Sequence, residues 1–185
     1  GLVFYWGITQ QFDSLDVHNI FFSDDYRLEF RRLFDELQIA ADPTIYINIT
    51  ARVNGTKDAP AGHDNWFVLI NAPYEHGQQW DFEVQRVRDA LLKRIGRHLD
   101  VRLEEYLAAE GVMTPRDIAE RTGSYRGSLY GISSNSKTAA FSRHRNRSRR
   151  YKGLYLCGGS VHPGGGMPLA VLSGKIAADL IIRRS

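Results

Sequence analysis

Four segments in the first half of the chain carry the hydrophobic patterns of β-strands. Between residues 45 and 52, apolar residues alternate with polar ones, which predicts a strand with one buried face. Residues 66–71 are largely apolar, as in a strand buried on both faces, and their spacing predicts antiparallel pairing with the alternating segment. Residues 2–8 predict a further buried strand, and residues 18–22 are a candidate strand.

Apolar residues at helical spacing predict two longer helices. The first is capped by Ser23 or Asp24 and is stopped by Asp42-Pro43. Its single apolar face consists of Tyr26, Phe30, Leu33, Phe34 and Leu37. The second is capped by Asp81, and its apolar face consists of Val84, Val87, Leu91 and Ile95. Each helix therefore has one face suited to burial.

Two shorter helices and a strand complete the expected elements before the composition changes. One short helix ends at Gly111. The other begins with Thr114 as its N-cap, Pro115 in its first position and Asp117 in its third, and it ends by Gly123. Residues 128–132 are a further candidate strand.

The composition changes at Ser133. Residues 134–142 are small and polar, and arginines then crowd residues 143–150. Residues 153–157 predict a short apolar strand, and residues 158–166 form a glycine-rich loop. Residues 168–183 predict a helix with proline in its first turn.

The overall composition is that of an ordinary globular protein, because 43% of the 185 residues are hydrophobic and 24% are charged. Disorder, collagen and coiled coil are excluded for the whole chain. No apolar run reaches the ~18 residues of a membrane span. A single cysteine, Cys157, cannot form an internal disulfide, which favours a reducing compartment. Since the chain opens inside a strand without methionine, we expect a fragment that lacks an N-terminal part; the alternative is a small complete protein.

Residues 153–183 are the part of the chain best suited to chemistry. Glycine permits positive φ and a close approach of the backbone to a bulky ligand. The start of the helix offers unpaired N–H groups to an anion or an electron-rich carbonyl. The spacing excludes a P-loop, a complete G-x-G-x-x-G fingerprint and a nucleophile elbow. From the pattern alone, ligand binding and a plain strand–helix connection both stay open.

Residues 153–180, with the motif at 163–168 and Ser173-Gly174-Lys175, resemble the C-terminal signature of FAD-dependent carotenoid desaturases of the phytoene desaturase type. Supporting similarity lies in residues 65–73, 123–131 and 146–148. The resemblance covers nearly the whole chain and is most specific at residues 163–168 and the helix that follows.

The resemblance implies a mixed α/β fold in which a nucleotide-binding domain and a substrate domain are interleaved along the chain. Residues 1–125 would belong to the substrate-binding domain, with an antiparallel sheet. Residues 126–185 would be the C-terminal segment of the FAD-binding domain. The G-x-G-x-x-G fingerprint that holds the ADP part of FAD is absent from this sequence. We therefore expect the C-terminal part of such an enzyme, inactive on its own.

The resemblance also implies the cofactor contacts. Beside the pyrophosphate and ribityl chain of FAD would lie Gly158, Gly159 and Ser160. Beside the isoalloxazine would lie Gly165, Gly166, Met167 and Pro168. There the start of the helix would stabilise negative charge at the N1–C2 edge of the reduced flavin. His162 is interpreted as packing locally rather than polarising the flavin.

The implied reaction belongs to carotenoid biosynthesis. Two hydrogens leave a saturated C–C bond of a polyene, and the flavin takes the hydride. No catalytic base is assigned, and the spacing of the histidines gives no metal site. Residues 4–8 and 15–22 look closer to bacterial members, including those that act on hydroxylated or methoxylated carotenoids. The carotenoid itself and the oligomeric state stay open, and a retinol-saturase-like or amine-oxidase-like flavoenzyme is the alternative.

The arginine-rich segment Arg143–Arg150 has three interpretations: a solvated loop, contact with an anionic membrane surface, and RNA binding. Membrane contact suits a substrate that resides in lipid. RNA binding usually adds aromatic platforms, and here only Phe141 and Tyr151 flank the segment. We expect a cytoplasmic protein, peripheral on the inner face of the cell membrane, without a nucleic-acid partner. A lipid- or RNA-binding module is the alternative from a different class of protein.

Overall fold

A computed structural model describes residues 1–129 and 143–183 of the chain. They belong to two units, Gly1–Gly127 and Ser128–Ser185. Sheet and helices build the first unit, whereas a glycine loop and one long helix dominate the described part of the second.

Among the described residues, the sheet of the first unit has five antiparallel strands in the order β2-β3-β4-β1-β5. The strands are β1 (Leu2–Ile8), β2 (His18–Phe21), β3 (Ile45–Ile49), β4 (Asp64–Ile70) and β5 (Leu107–Met113). The predicted antiparallel pairing of β3 with β4 is confirmed, with Ile47 opposite Val68. The mixed α/β fold class with an antiparallel sheet is therefore confirmed.

The helices of the described chain are one long helix in each unit and three shorter ones. They are α1 (Tyr26–Phe34), α2 (Ala51–Asn54), α3 (Trp80–Leu99), α4 (Pro115–Thr122) and α5 (Met167–Ile182). Short 3₁₀ turns lie at Gly55–Lys57, Leu103–Tyr106 and Tyr125–Gly127. Within the described residues, no helix has both the length and the apolar character that a membrane span needs.

The hydrophobic core joins one face of the sheet to α3. Alternate residues of β1, β3 and β4 pack with Val87, Leu91, Leu92 and Ile95 of α3 in one cluster, which also contains Trp80. The other residues of β4 are only partly buried, so the expectation that this strand is buried on both faces is wrong. The period-2 geometry of a strand sends only every second side chain towards α3.

Helix α1 differs from its predicted bounds and orientation. Its N-cap is Asp25, whose side chain accepts a hydrogen bond from the Leu28 N–H, and it ends at Phe34. Its buried residue is Glu29, whereas Tyr26 and Phe34 of the predicted apolar face are exposed. The Glu29 carboxylate accepts hydrogen bonds from Thr44 Oγ1 at 2.6 Å and Asn71 Nδ2 at 3.3 Å. These bonds turn the polar side of the helix inward.

Two helix predictions at the end of the first unit had different outcomes. Residues 107–113 form strand β5 rather than a helix, because pairing with β1 satisfies their backbone groups. Helix α4 is confirmed, with Thr114 and Asp117 forming a capping box.

The long helix α3 is also confirmed, although its N-cap is Gln79 rather than Asp81.

In the second unit, helix α5 is confirmed within one residue at each end. The predicted strand at 153–157 is wrong, because the segment makes a single β-bridge, between Tyr155 and Arg147. Cys157 is accordingly exposed rather than part of a buried strand. The candidate strand at 128–132 falls in part on residues 130–132, which lie outside the described residues.

Candidate functional site: the glycine loop and the start of α5

The loop between Cys157 and α5 depends on glycine for its backbone conformation. Gly158 has a φ of 119° and Gly166 a φ of 93°, values that residues with a side chain rarely adopt. A Cβ added at either glycine would have no protein atom within 4 Å. Both therefore face open space, and the backbone there is accessible to a ligand.

The loop folds back on itself, so that its two arms approach each other. A Cβ built on Gly159 would lie 3.8 Å from the Cα of Gly165. The structure thus brings together the two groups of residues that the resemblance assigned to the flavin. Gly158, Gly159 and Ser160 lie on one arm; Gly165, Gly166, Met167 and Pro168 lie on the other and lead into α5.

Helix α5 begins without a side-chain cap. Gly166 occupies the N-cap, and the first turn contains no acidic residue. The unpaired N–H groups and the partial positive charge of this helix end are therefore not neutralised by its own first turn. Met167 at this end is 81% exposed. Farther along α5, a hydrogen bond from Lys175 to Asp179 lowers the pKa of that carboxyl.

Asn146 connects the loop to α5. Its side chain is buried, and Nδ2 donates to Ser173 Oγ at 2.9 Å and to the His162 carbonyl at 3.0 Å. The same nitrogen is 3.3 Å from the Leu156 carbonyl and 3.2 Å from the Ser173 carbonyl. Ser173 Oγ in turn accepts from the Gly158 N–H at 3.2 Å. One amide and one hydroxyl thus tie both arms of the loop to the helix.

The Arg143 side chain also holds the loop in place. Its guanidinium is buried and donates to the Gly159 carbonyl at 2.9 Å. The Arg143 guanidinium also lies near Gly164, where an added Cβ would be 3.6 Å from Cζ. This arginine therefore belongs to the loop and not to a solvated cluster.

The remaining arginines of segment 143–150 are exposed. With Lys152 and His162 they line a cleft of about 800 Å³. The His162 side chain is exposed, and its backbone carries the local contacts: the N–H donates to His144 at 2.8 Å and the carbonyl accepts from Asn146. The cleft is strongly cationic, which suits an anionic partner.

A second surface in the first unit has the properties of an apolar binding face. We call it the open face. It is the sheet surface opposite α3, formed by the exposed or partly exposed side chains of Tyr5, Tyr46, Asn48, Phe67 and Leu69. Phe67 lies at the centre of an aromatic row, with ring centroids 5.7 Å from Tyr5 and 6.5 Å from Tyr46. None of these side chains is charged, so the face suits an apolar ligand.

Sequence reasoning missed the two residues that hold the site together. Asn146 was noted only as part of the resemblance, and Ser173 only as part of a helix motif. A Ser within a largely apolar helix is a weak sequence signal, because the side chain that forms a hydrogen bond with its hydroxyl lies 27 positions away.

Within the described ranges, no group of three or more His, Cys, Asp or Glu residues could hold a metal ion.

Sequence comparison with known proteins identifies relatives of this chain. The chain is 50% identical over 180 residues to the 1-hydroxycarotenoid 3,4-desaturase of Flavobacterium sp. (strain P99-3), which covers 97% of the chain. The chain is homologous to carotenoid desaturases. It is also 35% identical over its whole length to the 4,4'-diaponeurosporene oxygenases of Staphylococcus aureus strains bovine RF122 / ET3-1 and USA300.

The resemblance to carotenoid desaturases is thus confirmed. The chain spans 37% of the length of each of these relatives. No protein-family model matches the chain. The relatives are enzymes that act on carotenoids, and all three are bacterial.

Proposed function

We propose that this chain is part of an FAD-dependent desaturase that introduces C=C bonds into a carotenoid. The supporting observation is the 50% identity to a 1-hydroxycarotenoid 3,4-desaturase across 97% of the chain. We infer that the chain is the C-terminal part of the enzyme, with residues 1–125 in the substrate-binding domain and residues 126–185 in the FAD-binding domain. The function of the whole enzyme is the removal of two hydrogens from adjacent carbons of a polyene.

The residues of the glycine loop fit a flavin nucleotide. Gly158 and Gly166 leave space where a side chain would stand, and the uncapped start of α5 offers N–H groups beside them. In the proposed enzyme, Gly158, Gly159 and Ser160 hold the pyrophosphate and ribityl chain. Gly165, Gly166, Met167 and Pro168 line the isoalloxazine. When bound, FAD supplies the acceptor for the hydride that leaves the polyene.

The chain's own contribution to this chemistry is positioning and electrostatics. The partial positive charge at the start of α5 stabilises negative charge on a carbonyl edge placed against it. Asn146, Ser173 and Arg143 hold the two arms of the loop, so that its N–H groups are oriented before a ligand arrives.

A glycine substitution tests the loop assignment. In the complete gene product, Gly166→Val should reduce FAD retention at least about tenfold, because a branched side chain is strained at a φ of 93° and projects into the proposed site. FAD content per protein after purification is the measurement. The matched control is Gly174→Ala on α5, which has no positive φ and open space around it. Unchanged flavin content in Gly166→Val would refute the assignment.

The reaction is tested by supplying polyenes to the purified gene product. We expect a product with two hydrogens fewer and an absorption at longer wavelength, because the conjugated system is extended. A product with more hydrogens would favour a retinol-saturase-like reaction. Flavin reduction by an amine, without reaction of the polyene, would favour an amine-oxidase-like enzyme.

We further propose that the enzyme is cytoplasmic and binds peripherally to the inner face of the cell membrane. Two observations support contact with a membrane: the exposed arginines of segment 143–150, and the exposed aromatic residues Tyr26 and Phe34 of helix α1. Cations attract anionic lipid, and aromatic rings on an amphipathic helix insert at the membrane interface.

Sedimentation with vesicles tests membrane binding. Binding should require anionic lipid, weaken as salt is raised, and fall when Arg147 and Arg149 are changed to Ser. The double substitution Arg102→Ser and Arg121→Ser, outside the segment, is the matched control. Salt-sensitive binding to RNA but not to vesicles would instead favour the RNA-binding module.

A further inference from the structure

The open face ends in a polar cluster at the edge of the sheet. The cluster consists of His18 on β2 with Tyr46 and Asn48 on β3. The Tyr46 hydroxyl is 2.7 Å from His18 Nδ1, and their rings stack with centroids 6.0 Å apart. Asn48 Nδ2 is 3.2 Å from the same His18 nitrogen. Hydrogen-bonding groups thus lie next to the aromatic row.

Tyr46 and Asn48 engage one nitrogen of the His18 imidazole, Nδ1. Asn48 Nδ2 also lies 3.0 Å from the Val17 carbonyl, which holds the amide in place. Among the described residues, no hydrogen bond engages the other nitrogen, Nε2, and His18 is exposed. Nε2 donates or accepts a hydrogen bond according to the tautomer, and a hydroxyl group can form a hydrogen bond with either form.

We propose that the His18–Tyr46–Asn48 cluster binds a hydroxyl group at the end of a polyene that lies along the aromatic row. This inference rests on the proposed function. In this arrangement His18 Nε2 forms a hydrogen bond with the hydroxyl group, while Tyr46 and Asn48 hold the imidazole through Nδ1. The uncharged aromatic row contacts the apolar part of the same molecule.

The geometry of the sheet matches a rod-shaped ligand with one polar end. His18, Asn48, Phe67 and Tyr5 are directly opposite one another on β2, β3, β4 and β1. Because neighbouring strands lie about 4.8 Å apart, the distance across the sheet from His18 to Tyr5 is about 14 Å. A polyene with a terminal hydroxyl group has this division into a long apolar part and one hydrogen-bonding end.

The 1-hydroxycarotenoid 3,4-desaturase has, by its name, a hydroxylated carotenoid as its substrate. A site that offers hydrogen bonds to a hydroxyl group discriminates against the analogue that lacks it, because its polar groups are then left without a partner. The cluster would therefore act on substrate choice rather than on the chemical step.

The test compares two polyenes that differ only in one terminal hydroxyl group. For the complete gene product we expect kcat/KM to be higher for the hydroxylated polyene. His18→Phe and Tyr46→Phe should each lower this preference roughly three- to tenfold, mainly through KM for the hydroxylated substrate. Tyr125→Phe, which removes a hydroxyl from an exposed tyrosine outside the sheet, is the matched control.

A binding measurement separates this inference from the proposed function. Quenching of tryptophan fluorescence by each polyene gives a ratio of affinities that does not require turnover. A ratio unchanged in both variants overturns the inference, even if the enzyme desaturates both polyenes. A ratio that falls in both variants supports the cluster, even if no desaturation is seen and the proposed reaction fails. If Tyr46→Phe does not fold, His18→Phe on the exposed edge strand decides alone.

Discussion

The two units of this chain are held together by different interactions. The first unit has an extensive apolar core in which Trp6, Trp66 and Trp80 are almost completely buried. In the described part of the second unit, the best-connected buried side chains are polar: Asn146, Ser173 and Arg143. Burial of apolar surface therefore shapes the first unit, whereas directed hydrogen bonds shape the loop of the second.

The two units also differ in how far their apolar side chains are exposed. Helix α5 is rich in apolar residues, yet Val171 is 70% exposed and Ile182 is 69% exposed. In the first unit, equivalent aliphatic side chains such as Ile47 and Val68 are completely buried. Apolar burial therefore contributes less to the described part of the second unit than to the first. Substitutions should affect the two units through different mechanisms.

The largest effect is expected in the core of the first unit. Trp66→Ala should lower the free energy of unfolding by about 3–5 kcal/mol, because it removes a buried ring that packs edge-on against Phe12. Urea unfolding followed by circular dichroism is the measurement. Phe82→Ala removes an exposed ring from α3 and should change stability by less than about 0.5 kcal/mol. Equal effects of the two substitutions would contradict the description of the core.

A smaller and more local effect is expected in the second unit. Asn146→Ala should cost about 1–3 kcal/mol, because the Ser173 hydroxyl and the His162 carbonyl lose a buried donor. Hydrogen exchange should become faster at the amides of Gly158 and His162, while β1 and β4 remain protected. Asn54→Ala, at an exposed site, is the control. Uniformly faster exchange in both units would show that the loop is not independently anchored.

The helix cap of the first unit should have a more modest effect. Thr114→Ala should destabilise the protein by about 1 kcal/mol, because the Asp117 N–H loses its capping oxygen at 3.1 Å. The measurement is again urea unfolding, with exposed Thr56→Ala as the control. A loss as large as that for Trp66→Ala would contradict the view that apolar burial dominates the first unit.

The same cap predicts a dependence of stability on pH. Burial opposes the charge of Asp117, but hydrogen bonds from Thr114 and the charges of Arg116 and Arg121 outweigh it and lower the pKa of the carboxyl. Since the pKa is lower in the folded state, the stabilisation is present above about pH 4 and is lost as the pH falls through the folded-state pKa. Asp117→Asn should reduce this acid-side loss in unfolding measurements at a series of pH values. An unchanged slope would count against the capping box.

Much of the fold could be predicted from local pattern. The alternation of Ile45, Ile47 and Ile49, the periodicity of α3 and the Thr114-Pro115 start of α4 each follow from short-range rules that the structure obeys. The glycine loop and the helix after it were also identifiable, and they carried the resemblance to carotenoid desaturases. The predicted flavin contacts of the loop remain a prediction.

Other features were decided by the tertiary structure, because their partners are distant in sequence. Residues 107–113 are a strand since β1 supplies their hydrogen bonds from about a hundred positions away. Helix α1 turns Glu29 inward because Thr44 and Asn71 bind its carboxylate. The anchoring of the loop by Asn146 and the hydrogen bonds of His18 likewise depend on side chains that only the folded chain brings together. Hydrophobic periodicity indicates which face of an element is suited to burial, but long-range hydrogen bonds can turn a different face inward, as they do in α1.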